Sequence, residues 1–572
     1  MPSLVVEDFR LGLDVRRSPQ TTPPGALIKL VNGHITRGGE IQKRKAFVKV
    51  ADVPNTKGLE SAAGLLFVFG TAEPDPNLPS FITYQQLTLP NDEEIAAVLD
   101  SDAFNGRVYV VVQSVTGDVY HFFDGVRVTD WDKLQEINQV ENYNDLAQFL
   151  GDRISADDSV TVTVNGSEIV ITAQAVDVDF PVSVNASNGG TVNDQTITLT
   201  VTQEATATDE KTVEITFGGT YEKEDIFNVV LNGTTYSKAG NPVQVGRTAT
   251  TFRTKMYSAA GNIVYFSAVD DPTDYADRDD GDGFIRISNH YGGAEDVQGL
   301  SPFQNGVAIF SENAVQFWNL DPDPFQNQLV RVIQRVGAIA PKSITPYGDA
   351  DVFFLHWSGI RSAQAQYIED APSPADIGLP INDLVIADVR AAGNNITSIT
   401  VGEIEPEDSR VWMAIGQKIY VLSRFPESRI QAWSIYEVDF QVDEFAVIRN
   451  RIYLRSGDEI YLYGGEDGTT YDDTEVVAQT PFLDAGAQPN VKSFRGLDIS
   501  LSGSWKISKG LTRNNPDILS IQSIIDDDTY DGREVSIDGI GTAITLEFRS
   551  TSESAATIRN FSVHFQQDGI GQ

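Results

Sequence analysis

The side chains that could carry chemistry are few and poorly spaced for it. The five histidines, His34, His121, His290, His356 and His564, form no H-x-x-x-H or H-E-x-x-H pattern, the spacing that sets two imidazoles on one helix face around zinc. No G-x-S-x-G elbow, Walker loop or dinucleotide-binding glycine pattern stands in a strand-to-helix setting, and no sialidase-type S-x-D-x-G-x-T-W box occurs. Cysteine is absent, which removes disulfides and thiolate metal sites. The 81 acidic residues still leave room for a glycosidase-like carboxylate pair. The acid-rich run from Asp270 to Gly283 invites a calcium reading. Setting Gly283 at the sixth place of an EF-hand loop, however, puts Arg278 first and Asn289 twelfth, both wrong for a carboxylate-bound ion. An ion site of another geometry stays open beside the simpler reading, a solvated connecting loop. The expectation is a non-enzyme with no catalytic residues, no cofactor and no metal.

The second kind of chemistry is electrostatic. The chain has 42 basic against 81 acidic residues, a net charge of −39, and such a surface repels the phosphate backbone of nucleic acid. Solubility alone is the plainer reading of that charge. Its distribution is uneven: residues 1–50 carry nine Lys/Arg against four Asp/Glu, whereas residues 131–235 carry four against eighteen. Asymmetry on this scale suggests separate domains facing different partners. The basic window holds Arg16, Arg17, Lys29, Arg37, Lys43, Arg44, Lys45 and Lys49 but only two aromatics, Phe9 and Phe47, too few for a base-stacking platform. Arg16, Arg17, Arg37, Lys43, Arg44 and Lys45 are therefore candidates for contact with an acidic neighbouring protein or another subunit, with an ordinary solvated hairpin as the alternative.

The elements that must position these groups read as β-structure. Short β-branched and aromatic runs are separated by Asn-Gly, Asp-Gly and Gly-Gly turns. One series is repetitive: Asn262-Ile263-Val264-Tyr265-Phe266-Ser267, Gly306-Val307-Ala308-Ile309-Phe310-Ser311, Asp351-Val352-Phe353-Phe354-Leu355, Arg410-Val411-Trp412-Met413-Ala414 and Asn450-Arg451-Ile452-Tyr453-Leu454. From the second run onward each is followed within about ten residues by another short strand. A strand-turn-strand unit recurring at roughly 40–50 residues is the signature of a propeller blade, which cannot bury both faces alone. Earlier copies fit at Gly106-Arg107-Val108-Tyr109-Val110-Val111 and, more faintly, at Gly64-Leu65-Leu66-Phe67-Val68-Phe69. Unrelated meanders sharing a spacing are the alternative.

At 572 residues the chain exceeds one core, since single cores stop growing near roughly 250–300 residues. The expected division is an N-terminal segment with the first blades (1–130), an inserted acidic platform domain (131–240), the remaining blades (241–478) and a C-terminal β-sandwich (479–572). The insertion opens with Tyr143-Asn144-Asp145-Leu146-Ala147-Gln148-Phe149-Leu150, which places Leu146, Phe149 and Leu150 on one helical face. Asn144 is the expected N-cap and Gly151 the expected stop. The fold class is thus mainly β: a propeller interrupted by a β-rich domain with one helix, plus a sandwich. No run approaches the roughly 18 continuous apolar residues of a membrane-spanning segment, and the acids in the first apolar stretch argue against a signal peptide.

Several stretches together resemble the tail tubular (nozzle) proteins of short-tailed bacteriophages. They are Leu13-Asp14-Val15-Arg16-Arg17-Ser18-Pro19, Pro23-Pro24-Gly25-Ala26-Leu27 and Asn32-Gly33-His34-Ile35-Thr36-Arg37-Gly38-Gly39-Glu40-Ile41. Further along come Val264-Tyr265-Phe266-Ser267 with Asp271-Pro272-Thr273-Asp274-Tyr275, then Phe310 to Trp318, Val336 to Pro341 and Ser358-Gly359-Ile360-Arg361. The resemblance implies a homo-oligomeric ring, a hexamer, in the virion tail, assembled in the host cytoplasm. It would sit below the portal and the adaptor ring protein, offer surfaces to a tail fibre protein and enclose an exit channel for double-stranded DNA, with no sequence-specific binding. The basic N-terminal residues would then meet the adaptor and the acidic insertion the fibres. Asp323 and Phe325, in a Pro-rich loop, and Arg424 and Phe425, in a second segment, are candidates for channel constriction, with plain inter-blade turns as the alternative. The competing reading is a receptor- or carbohydrate-binding propeller adhesin, which needs clustered exposed aromatics. The six tryptophans instead mostly sit inside strand patterns.

Overall fold

Runs that are apolar at every position bury both faces of a strand, and here those strands stand in the middle of stacked sheets. The computed structural model describes the chain except residues 1, 74–76, 91–92, 130, 132–141, 156, 158, 188–193, 222–224, 239–244, 276–281, 290–294, 322–325, 365–376, 487–489, 527–534 and 571–572. Two compact units result: residues 1–127, 247–272 and 284–572, and residues 128–246 with 273–283.

Among the described residues, the larger unit contains seven blade-like sheets. Blade 1 is Gly58–Ala62, Leu65–Gly70 and Ile82–Gln86; blade 2 is Ile95–Phe104, Arg107–Ser114, Val119–Phe123 and Val126–Arg127. Blade 3 is Thr250–Phe252, Lys255–Ala260, Ile263–Phe266 and Gly283–Arg286; blade 4 is Val297–Phe303, Gly306–Ser311, Ala314–Asn319 and Gln328–Gln334. Blade 5 is Thr345–Tyr347, Asp351–His356 and Gly359–Ser362; blade 6 is Thr400–Glu405, Arg410–Ile415, Lys418–Phe425 and Ile430–Glu437. Blade 7 takes Glu444–Ile448, Arg451–Ser456 and Glu459–Tyr463 from late in the chain and Phe47–Asp52 from its beginning. The first strand of each blade packs against that of the next or its neighbour, and Glu444–Ile448 packs back on Gly58–Ala62, so the propeller ring is closed. The antiparallel pairing of Phe47–Asp52 with Glu459–Tyr463 fastens it.

Period-2 alternation explains how the blades stack. In blade 4, Val307 and Ile309 join the core shared with Val264 and Phe266 of blade 3, while Ala308 and Phe310 join Val352 and Phe354 of blade 5. Likewise Val411 and Met413 share a core with Phe353 and Leu355, and Trp412 and Ala414 share one with Ile452 and Leu454. The run around Val264 is the third strand of its blade. The second strand is Lys255–Ala260, whose Met256-Tyr257-Ser258-Ala259-Ala260 lacks β-branched residues and is therefore quiet in the sequence. Gly337, in the link from blade 4 to blade 5, lies so close to blade 4 that a Cβ there would sit 2.1 Å from the Ser311 carbonyl oxygen.

The C-terminal sandwich is built partly from the N-terminus. One sheet orders Val535–Gly541, Asn490–Ser502, Thr557–Ile570, Ile41–Lys43 and Gly33–Ile35, with Ser3–Val6 also on Thr557–Ile570. The other orders Ser520–Asp526, Ser504–Gly510, Thr545–Ser550, Val476–Gln479 and Lys29–Val31, and continues into blade 6 through Ile430–Glu437. Grouping residues 1–130 together, as the sequence reading does, therefore separates strands that pair. Local pattern reveals a strand but not a partner some 500 residues away.

The smaller unit packs the helix Tyr143–Ile154 against two antiparallel sheets around Leu146, Leu150, Ile169, Ile215 and Phe227. Its N-cap is Asn142 rather than Asn144: the Asn142 Oδ1 accepts from the amides of Asn144 and Asp145 at 2.9 and 3.1 Å. The helix also runs past Gly151, because that glycine serves close packing: a Cβ there would lie 2.4 Å from Val164 Cγ2. A second helix, Asn382–Ala392, follows blade 5 and buries Val385 and Val389.

Candidate functional site

The innermost strands bring an acidic group to the propeller axis. Glu60 comes from blade 1, Asp100 and Asp102 from blade 2 and Glu403 from blade 6. All four are half-buried. The Ser101 hydroxyl donates to Glu60 Oε2 at 2.8 Å. Backbone amides of the neighbouring blade 3 region reach across: Ala249 N–H donates to Asp100 at 2.8 Å, and Thr251 N–H donates to Asp102. Glu403 accepts from the Ile404 amide at 2.7 Å.

Loss of water penalises the charged form of each carboxyl. Burial, reinforced by the charges of Asp102 and Glu403, pushes Glu60 up to about 8. Burial lifts Asp100 to about 7 despite its amide donors, Asp102 to about 6 and Glu403 to about 7. The cluster therefore holds protons near neutrality and titrates as a coupled set. Beside it, Glu444 on the first strand of blade 7 is neutralised by Lys342 and by Arg455, whose Nε donates at 3.1 Å. The sequence does carry a signal for these groups: acids at Glu60, Asp100, Asp102, Glu403, Glu405 and Glu444 recur on first strands.

The basic N-terminal residues divide into two groups. Lys43 and Arg44 are buried. The Lys43 ammonium donates to the carbonyl oxygens of Asp472 and Ser552 at 2.7 and 2.6 Å, and burial lowers its pKa. Arg44 pairs with Asp472 at 3.1 Å, donates to Thr474 at 3.0 Å and lies over the Phe47 ring at 5.1 Å. Neither presents charge to a partner; both fasten the N-terminal segment to the stretch between blade 7 and the sandwich. Lys45 pairs with Glu407. Arg16 and Arg17 reach Asp14 at 3.3 and 4.0 Å, and Arg37 reaches Asp408 at 3.3 Å; all three keep exposed side chains.

Of the channel-constriction candidates, Asp323 and Phe325 lie outside the described residues. Arg424 and Phe425 end the third strand of blade 6, away from the first strands that ring the axis. Arg424 bridges to Asp351 of blade 5 at 3.2 Å, and Phe425 is buried beneath Arg37 at 5.3 Å. Both therefore act in blade packing rather than at a loop tip. Residues 276–281 of the acid-rich loop also lie outside the described residues. Among the described residues, no group of three or more His, Asp or Glu is arranged to hold a metal ion. No described helix is long and apolar enough to cross a membrane. A surface cleft of about 530 Å³ runs along the fastening strand, lined by Lys49 to Asp52 and Asn77 to Pro79.

No family model matches the chain, and no curated protein does. Among solved structures, BamB from Moraxella catarrhalis is similar at 9% identity over 74% of this chain and 98% of its own, with a TM-score of 0.34. The Pan2 WD40 domain of Neurospora crassa is similar at 10% identity over 43% and 73%, with a TM-score of 0.26. An exo-β-1,3-galactanase from Phanerochaete chrysosporium, solved with galactose, is similar at 9% identity over 71% and 95%, with a TM-score of 0.20. The fold assignment rests on the sheets themselves: this is a mainly β chain with a closed propeller, an inserted domain and a sandwich.

Proposed function

We propose that the chain is a wall-building protein of a virion tail, the nozzle subunit of a short-tailed bacteriophage. It works as a hexameric ring through which double-stranded DNA leaves unread. The observation that carries this reading is the sharing of residues 1–52 between the sandwich and the propeller. A conduit must keep its shape under load. A propeller closed by Phe47–Asp52 and a sandwich in which Ser3–Val6 pairs with Thr557–Ile570 each tie together strands far apart in sequence. The stretches that resemble nozzle proteins fall on such structural positions: the Phe310 to Trp318 hairpin of blade 4, the tight link at Gly337 and the blade 5 hairpin at Ser358 to Arg361.

The net charge of −39 supports passage rather than capture of DNA, because an anionic wall offers no cations to displace phosphate counterions. Arg16, Arg17 and Arg37 are the accessible basic residues for the portal-adaptor ring, and the acidic inserted domain is the platform for tail fibres. A second reading, a glycan- or receptor-binding adhesin, rests on Trp357. This residue is 47% exposed and donates its indole N–H to Glu312 at 2.9 Å. It is one aromatic where a sugar platform needs several, since the other five tryptophans are buried. Negative-stain imaging of the purified chain tests the choice. Six-fold rings with a central pore are expected; monomers that bind on a glycan array would sink the nozzle reading.

A further inference from the structure

Four polar atoms on one face of blade 6 are buried without a hydrogen-bond partner among the described residues: Arg410 Nε, Trp412 Nε1 and the hydroxyls of Ser423 and Ser434. Trp412 and Ser423 are 0% exposed, Ser434 1% and Arg410 4%. Strand alternation gathers them. Arg410 and Trp412 stand two apart on the second strand. Val421 faces Trp412 from the third strand, two residues from Ser423, and Ser434 faces Val421 from the fourth. Their backbone positions therefore span a patch of about 7 by 10 Å. A buried polar group without a partner costs stability and is rare in a native protein. Four in one patch point to a shared ligand.

The other polar groups nearby are already committed. The Arg410 Nη atoms lie 3.6 Å from Glu405 and 2.6 Å from Asp408. The Tyr436 hydroxyl bonds His34 Nδ1 at 2.7 Å, and the Tyr463 hydroxyl accepts from the Lys45 amide at 3.1 Å. The rings of Tyr436 and Tyr463 meet Trp412 edge-on at 5.6 and 5.0 Å. An N–H···π contact there would satisfy one of the four atoms and leave three. Charge and donor type then define the ligand. Guanidinium and indole N–H groups only donate, which excludes a cation. Two carboxylates already meet Arg410, and Glu403 lies across from Trp412 on the first strand, which disfavours an anion. What fits is a small neutral molecule that both accepts and donates. A buried water makes about three hydrogen bonds, so two waters bonded to each other offer four to the protein, one for each atom.

We propose that this face of blade 6 binds a pair of internal water molecules through Arg410 Nε, Trp412 Nε1 and the Ser423 and Ser434 hydroxyls. The test compares thermal melts of the full chain with those of Ser423→Ala, Ser434→Ala and the double variant. In a dry patch alanine removes an unsatisfied hydroxyl, leaving stability unchanged or higher; in a hydrated one it strips a partner from bound water. Each single variant should lower the melting temperature by roughly 2 °C. The double variant should fall short of the sum, because the waters are shared. A crystal structure of the full chain should show two ordered waters, one within hydrogen-bond distance of Arg410 Nε. Single variants that melt at or above wild type, or a patch without ordered density, would overturn the site. A melting temperature that rises saturably with chloride but not with fluoride would overturn water in favour of an anion.

Discussion

Replacing Glu60 with glutamine should separate the axial cluster's effect on stability from the rest of the chain. The folded state holds the Glu60 proton up to about 8, against an ordinary 4.5. Its contribution is therefore complete below about pH 4.5 and is lost as pH rises through 8, because the unfolded chain then releases the proton more readily. One unit is worth about 1.4 kcal/mol, so the full shift corresponds to an upper bound of about 5 kcal/mol. Glu60 keeps some solvent and shares its charge with Asp102 and Glu403, and halving for both leaves roughly 2 kcal/mol. Glutamine has the shape of the protonated acid: its oxygen can accept from the Ser61 amide, which donates to Glu60 Oε1 at 2.8 Å, while the Ser101 hydroxyl turns to accept from its NH2. Thermal melts followed by circular dichroism at pH 5 and pH 9 read the difference. The variant should match wild type at pH 5 and be the more stable protein at pH 9. Asp100 and Glu403 titrate in the same window, so both proteins should soften with pH, the variant less. A variant that loses stability as steeply as wild type would refute a proton-holding axis.

Two further substitutions probe how the chain is fastened. Lys43→Met strips the carbonyl oxygens of Asp472 and Ser552 of their buried donor and should cost about 2 kcal/mol; a melting temperature unchanged from wild type would contradict the fastening role. Gly337→Ala drives a methyl against the Ser311 carbonyl and should cost about 2–3 kcal/mol, seen as faster proteolysis between blades 4 and 5; wild-type resistance there would argue against the close approach.

How much of this was legible in the sequence follows from what each strand touches. The runs at Val307, Val352, Val411 and Ile452 stand out because each is apolar on both faces, one for each adjoining blade. Lys255–Ala260 plays the same part with alanines and serine and leaves no such trace. The axial acids interrupt apolar alternation, and an acid in a strand reads locally as a solvent-facing position. Only ring closure turns that face inward toward other carboxylates. Lys43-Arg44-Lys45 reads as a surface patch because charged triplets are usually solvated, yet carbonyl groups from residues 472 and 552 enclose the first of them. Pairings of that range have no local signature.

The fastening of blade 7 also sets a timetable for synthesis. Phe47–Asp52 leaves the ribosome some 400 residues ahead of its partner Glu459–Tyr463. At roughly 5–20 residues per second the strand waits about 20–80 s with its hydrogen-bonding groups unclaimed. Lys49 and Asp52, which later bond at 2.6 Å with Glu459 nearby, are charges of the kind that keep an orphan strand from joining the wrong sheet. The propeller thus closes late in synthesis, and the nascent chain has time to err at the strand that eventually locks it.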